Sequence, residues 1–164
     1  MALSDFDLPP ITQVGFLVRD LQAAMEWYWK SLGIGPWRVY TNSAPPMQYS
    51  YRGRPSTYKA KVALAKSGPL VIELIQLLEG ESVHQEFLDS GREGIEHLGI
   101  YVSNLTESLA PLEGKGLSVL QSGHGSGASR DGGYAFLDTE SSAGVFVELI
   151  QAPSERGTPD QVYP

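Results

Sequence analysis

Two glutamates interrupt otherwise apolar segments: Glu73 in Val-Ile-Glu-Leu-Ile and Glu148 in Val-Phe-Val-Glu-Leu-Ile. Period-two alternation puts Glu73 on one face with Val71 and Ile75, and Glu148 on one face with Phe146 and Ile150. An unpaired carboxylate on a buried face costs at least several kcal/mol, and a single cation shared between the two would offset both costs. Gln13 and His97 each take the third place in another alternating segment, so four segments contribute one polar side chain apiece. Gln, Glu, His and Glu form an oxygen-and-nitrogen donor set suited to one divalent ion, Zn²⁺, Ni²⁺, Co²⁺, Mn²⁺ or Fe²⁺, with positions left for water or substrate. The chain has no cysteine, which excludes thiolate catalysis, iron–sulfur clusters, disulfides and Cys-type zinc sites.

These four residues occupy matching places in an internal repeat. Ile11–Leu21 aligns without a gap on Ile95–Leu105, which sets Gln13 on His97, and Gly68–Gln76 aligns on Ala143–Gln151, which sets Glu73 on Glu148. The offsets are 84 and 75, so the first half carries about nine extra residues, assigned to a loop over 42–58 rich in Pro, Ser, Tyr and Arg. Each half reads as strand, capped helix, then three strands. Asp20 and Asn104 stand at the N-cap positions, Leu21, Ala24, Met25, Tyr28 and Leu32 follow at helical spacing, and Pro111 is expected to kink or shorten the second helix. The expected fold is α+β: two paired βαβββ modules forming a curled eight-stranded open barrel, or cup, around a central site. Its parts are a first module over 1–78, a linker over 79–94 with a short helix from Val83 to Ser90, a second module over 95–152 and a loose tail over 153–164, in one structural domain.

Composition narrows the partners. At 164 residues, with 41% apolar and 19% charged side chains, the chain can bury a core. A net charge of −7 argues against nucleic acid. No apolar run is long enough to cross a bilayer and no secretory signal is evident, so a cytoplasmic location and no membrane partner are expected. The charge is uneven: residues 27–72 hold seven basic and no acidic side chains, leaving five basic and nineteen acidic ones elsewhere. Such a cationic edge would suit an anionic small molecule.

The doubled βαβββ layout, with polar residues in the first and last strand of each module, resembles the vicinal oxygen chelate superfamily of glyoxalase, bleomycin resistance, epimerase and extradiol dioxygenase proteins over nearly the whole chain. The text of Glu79–His97 and Gly123–Glu148 is most similar to the methylmalonyl-CoA epimerase branch. The donor set is not: those epimerases usually carry His at the place of Gln13 and Gln at that of Glu73, whereas Gln, Glu, His, Glu resembles eukaryotic-type lactoylglutathione lyases. The epimerase pattern also places a catalytic carboxylate on an interior strand of the first module, where this chain offers only Tyr58, Lys59 and Lys61. The lyase likeness instead implies Glu148 as the base, with Glu73 across the site.

The resemblance implies a divalent-metal-dependent isomerase, epimerase or lyase that removes a proton next to a metal-chelated carbonyl through an enediolate, and a homodimer. Two alternatives share the fold: a non-heme iron dioxygenase of the extradiol type, which Gln13 at the first ligand position disfavours, and a metal-free module that binds or sequesters a small molecule. Candidate substrate contacts are Arg38, Arg52 and Lys61 for an anionic group, Trp37 and Tyr51 as pocket walls, and His124 on a glycine-rich loop. His84, on the linking helix, is expected at the surface.

Overall fold

Matching polar contacts build the two modules. The computed structural model describes residues 8–42 and 47–164. Strand β1 (Ile11–Leu17) runs into helix α1 (Leu21–Leu32), whose cap Asp20 accepts the Ala23 N–H at 2.9 Å and which stops at Gly33 in the left-handed region. Strands β2 (Trp37–Thr41), β3 (Gln48–Tyr51), β4 (Arg54–Ser56), β5 (Tyr58–Ser67) and β6 (Leu70–Gly80) follow. After α2 (Val83–Asp89), capped by Ser82, the order recurs as β7 (Gly94–Tyr101), α3 (Leu105–Glu113), β8 (Val119–Ser126), β9 (Gly132–Leu137), the short α4 (Glu140–Ala143) and β10 (Phe146–Gln151), and β11 (Gln161–Tyr163) ends the chain. The repeated Glu-Leu-Ile-Gln has two structural uses. Its glutamate faces the cup, while Gln76 and Gln151 accept the first N–H of α1 and α3, from Leu21 at 3.0 Å and Leu105 at 2.8 Å. Pro111 lies inside α3, which has nine residues against twelve in α1.

One curled sheet of eleven strands results, in the order β11-β2-β5-β6-β1-β7-β10-β9-β8-β3-β4. The eight module strands lie at its centre, and the expected count of eight is corrected by three additions. The stretch 42–58, expected as a loop, supplies the β3–β4 hairpin, which leaves its own module and pairs with β8 of the other one, Gln48 opposite His124; residues 43–46 lie outside the described residues. The tail, expected to be loose, supplies β11, which pairs with β2. Both corrections have one cause: short strands stabilised by pairing with a distant edge leave little local pattern. The outer face of each module packs on its helix, with Trp37, Val39, Ala63, Ala65, Ile72 and Leu74 under α1 and Ile100, Ala135, Leu137 and Leu149 under α3. No helix among the described residues is long and apolar enough to cross a membrane.

The modules meet where β1 and β7 pair antiparallel, and two glycines occupy this seam. Gly15 lies between Glu73 on β6 and His97 on β7; Gly99 lies between Gln13 on β1 and Glu148 on β10. Gly15 and Gly99 match in the repeat, so each module provides the clearing over which the other module's first-strand side chain folds. A Cβ at residue 15 would fall 1.9 Å from His97 Cε1, and one at residue 99 would fall 2.8 Å from the Gln13 Cβ. We therefore expect Gly15→Ala to displace the His97 ring and to lower the unfolding free energy by about 1–3 kcal/mol, the usual cost of overpacking. Gly99→Ala should cost less, as urea denaturation of both variants would measure.

Candidate metal centre

Across the seam the four sequence-predicted donors converge on the concave face. His97 Nε2 lies 3.0 Å from Glu73 Oε2 and 3.2 Å from Glu148 Oε2. Gln13 Nε2 donates to Glu73 Oε2 at 3.1 Å and reaches Glu148 Oε2 at 3.5 Å, while its Oε1 accepts the Tyr101 hydroxyl at 2.6 Å. Gln13, His97 and Glu148 are buried and Glu73 is half-buried. One ligand atom from each of Glu73, His97 and Glu148 falls within 4.8 Å of the others.

The donors fit a divalent ion. His97 Nε2 is buried without a hydrogen bond of acceptable geometry, although two carboxylate oxygens stand close to it. Donors placed about 2.1 Å from one ion at right angles would be about 3.0 Å apart, close to the separations found here. Charge points the same way, because Glu73 and Glu148 crowd one nitrogen of His97 while Glu96 lies between His97 and His84, and a cation would offset the carboxylate charge withdrawn from water beside Nε2. Burial pushes the Glu148 carboxyl up, Glu73 adds to the rise and the His97 ring opposes it. For His97 burial acts downward, but Glu148, Glu73 and Glu96 outweigh it and hold the ring well above its ordinary range.

Glu96 and His84 are the residues that sequence reasoning missed. Gly15 pairs with His97 and Phe16 with Ile95, so Glu96 is the extra residue of a β-bulge. The bulge defeats strict alternation, which would send Glu96 to the outer face, and aims it beside its neighbour. Its Oε2 lies 3.2 Å from His97 Nδ1 and its Oε1 lies 2.8 Å from His84 Nδ1. His84, expected at the surface, is 2% exposed because α2 lies against the sheet with Phe87 in an apolar cluster. Burial alone would raise the Glu96 carboxyl, but the two imidazoles outweigh it and bring it to about 2. A carboxylate behind a ligating histidine fixes the orientation of the ring.

The other candidates scatter. Arg38 lines a cavity of about 330 Å³ with Tyr40, Leu64, Lys66, Tyr101 and Arg156. Trp37, its neighbour in an alternating strand, points the opposite way into the core under α1. Tyr51 donates its hydroxyl to Glu86, and Arg52 binds the same carboxylate at 2.7 and 2.9 Å, so this pair anchors α2 to the β3–β4 hairpin. Lys61 is exposed and alternates with Val62, which faces the cup. His124 belongs to β8 rather than to a loop, and lines a separate cavity with Met47 and Ser50. Tyr58 and Tyr134 hydrogen-bond through their hydroxyls at 2.5 Å in a pocket shared with Glu73 and Glu148, and burial pushes both phenols up. The sequence offered Tyr58 only by its place on an interior strand of the first module, and Tyr134 only by its alternation with Phe136.

Comparison with known proteins gives a consistent picture. Residues 12–136 match the family model described as Glyoxalase/Bleomycin resistance protein/Dioxygenase superfamily. No curated protein matches the sequence significantly. Among solved structures, methylmalonyl-CoA epimerase from Mycobacterium tuberculosis is 25% identical, with a TM-score of 0.64 over 93% of this chain and 94% of its own. A variant of the Streptomyces coelicolor methylmalonyl-CoA epimerase, in complex with 2-nitronate-propionyl-CoA, is 19% identical with a TM-score of 0.66 over 92% and 99%. A hypothetical protein from Bacillus halodurans C-125 is 22% identical with a TM-score of 0.63 over 91% and 98%.

Glu96 gives the centre a testable signature. A carboxyl whose value falls on folding contributes stability that is complete above its ordinary value of 4.5 and is lost as pH drops towards about 2. Glu96→Gln should remove that part of the acid dependence, on the order of 3 kcal/mol, in urea midpoints measured against pH on metal-free protein. The same variant should bind a divalent ion about 10- to 100-fold more weakly, read by competition with a chelating dye.

Proposed function

Because the chain belongs to the glyoxalase/bleomycin resistance protein/dioxygenase superfamily, we propose that it is a divalent-metal-dependent isomerase, epimerase or lyase acting on a small carbonyl compound. The convergence of Gln13, Glu73, His97 and Glu148 on one point carries this reading. Its epimerase-like fold neighbours support the isomerase and epimerase members of that class.

A divalent ion held by these side chains would polarise a carbonyl oxygen of the substrate and make the neighbouring C–H more acidic. The remaining work falls to the protein. Glu148 is the base: burial raises its affinity for a proton, which brings it closer to the acidity of the carbon it must deprotonate. Glu73, on the equivalent strand across the seam, faces the other side of the same space and is placed to return a proton to the same or the adjacent carbon. Glu96 orients the His97 ring, and Tyr101 holds the Gln13 amide. Tyr58 and Tyr134 keep their protons and supply hydroxyl donors beside both carboxylates.

The test starts from protein purified without chelators. Elemental analysis should find about one divalent ion per chain, and refilling stripped protein should raise its melting temperature by mass action. NMR should then record wash-in of solvent deuterium next to the carbonyl across a panel of carbonyl acids and thioesters. Glu148→Gln should slow the wash-in by about 10²-fold or more, and His97→Ala should abolish the thermal shift. An unchanged melting temperature on refilling, or oxygen-dependent turnover without wash-in, would overturn the reading.

A further inference from the structure

Resting on the reading just given and naming its substrate class, we propose that the mouth of the cup is an oxyanion subsite formed by Arg38, Lys66 and Arg156, so that the substrate carries a carboxylate or phosphate at its far end. Strand register places two of these cations. Arg38 on β2 lies opposite Leu64 on β5, which lies opposite Glu73 on β6. Lys66 on β5 lies opposite Val71 on β6, which pairs with Gln13 on β1. Directly paired residues share a face, so each cation projects on the concave side two strands from a donor of the metal centre, about 10 Å away at the usual strand spacing.

The third cation arrives from the tail. Segment 152–160 starts in the second module, where the Ser154 N–H donates to Asp131 Oδ1 at 2.9 Å and the Glu155 N–H to Ser129 Oγ at 3.1 Å. It ends on the first module, where the Asp160 N–H donates to the Val39 carbonyl at 2.8 Å and β11 joins β2. The segment therefore spans the opening, and Arg156 sits midway along the span. Arg156 lines three cavities of the mouth: one of about 330 Å³ with Arg38 and Lys66, one of about 120 Å³ with Gln13, Glu73 and Glu148, and one of about 400 Å³ with Glu73. Tyr101, whose hydroxyl donates to Gln13, lines two of these cavities with it.

Among the described residues no carboxylate lies within ion-pair distance of Arg38, Lys66 or Arg156, in a chain with an excess of acids. By contrast Arg52 and Arg92 are paired, with Glu86 and Glu140. Three uncompensated cations lining one concave surface form an anion site by charge and shape, and arginine's planar fork fits a carboxylate or phosphate.

Isothermal titration of inorganic phosphate and, separately, of succinate into chelator-stripped, desalted protein at low ionic strength tests the site. We expect saturable binding at one site per chain. Arg156→Gln and Arg38→Gln should each weaken it about tenfold, Arg156→Lys should weaken it less, and Lys61→Gln on the outer face should leave it within twofold of the parent. Far-UV circular dichroism checks that each exposed substitution leaves the fold intact. Tighter phosphate assigns a phosphate-bearing substrate and tighter succinate a carboxylate-bearing one, both in support. No saturable binding of either anion, or equal affinity in the parent, Arg156→Gln and Arg38→Gln proteins, would overturn the proposal. Stripped protein separates this result from the metal reading: anion binding can succeed where metal loading fails, and the reverse.

Discussion

Negative charge withdrawn from water around the His97 imidazole, with His84 behind it, is the constraint on which the rest of the molecule depends. Glu73 and Glu148 stand at Nε2 of His97 and Glu96 at its Nδ1, and the ring is fully buried. Desolvating a carboxylate costs several kcal/mol even after relaxation, so three of them would unfold a marginally stable domain without compensation. The imidazoles of His97 and His84 supply one part of it, hydrogen bonds from Gln13 another, and the donor set offers the remainder to a divalent ion. Placement follows from this need. The carboxylates stand on β6, β7 and β10, near the middle of the sheet, where neighbouring strands hold their geometry.

Duplication explains how so short a chain achieves the convergence. A strand pair within one module can aim two side chains at a point, and an antiparallel seam between two copies brings the second pair to the same point. The seam also demands space, which Gly15 and Gly99 leave free. Beyond the shared frame the copies have diverged. The bulge before His97 carries Glu96, and the bulge before Gln13 carries Thr12 at the matching place. Only the second module therefore backs its first-strand donor with a carboxylate. A histidine ligand benefits from such support at its far nitrogen, whereas a glutamine has no far nitrogen to hold, and its amide is fixed by Tyr101 instead.

The parts of the structure that rest on local chemistry could be read from the residues. Caps at Asp20 and Asn104, the alternating segments around Glu73 and Glu148, and the repeat itself each carry their signal within about a dozen residues. What escaped depends on partners far along the chain. Residues 48–56 form a hairpin because β8, some seventy residues away, offers an edge, and 161–163 form a strand because β2 does. Glu96 escaped because one inserted residue reverses the parity on which an inward or outward assignment rests, and His84 because a seven-residue helix gives too few turns to show which side is covered. Arg38 and Trp37 illustrate the opposite case. Adjacent in an alternating strand, they cannot both face the cup, and parity alone separates a residue at its mouth from one in the core.

The cationic stretch from 27 to 72 shows why net charge is a poor guide to a site. Of its seven basic residues, Arg52 is paired with Glu86 and Lys30 with Glu26, Lys61 lies on the outer face, and Arg38 and Lys66 reach the mouth. Arg156, which completes the group, comes from the acidic remainder of the chain. In the proposed role these three matter because the centre itself would repel an anionic substrate. At about 10 Å and an effective dielectric of about 20, each uncompensated carboxylate opposes a substrate anion by roughly 1.7 kcal/mol, whereas a guanidinium in contact at about 4 Å attracts it by roughly 4 kcal/mol, and solvent at the mouth reduces both. Contact therefore wins over distance. On the proposed reading, an anion seated between Arg38 and Arg156 would leave about two strand spacings for the rest of the molecule to reach the donors, so the cations that overcome the repulsion would also set the distance from the charged end of a substrate to its carbonyl.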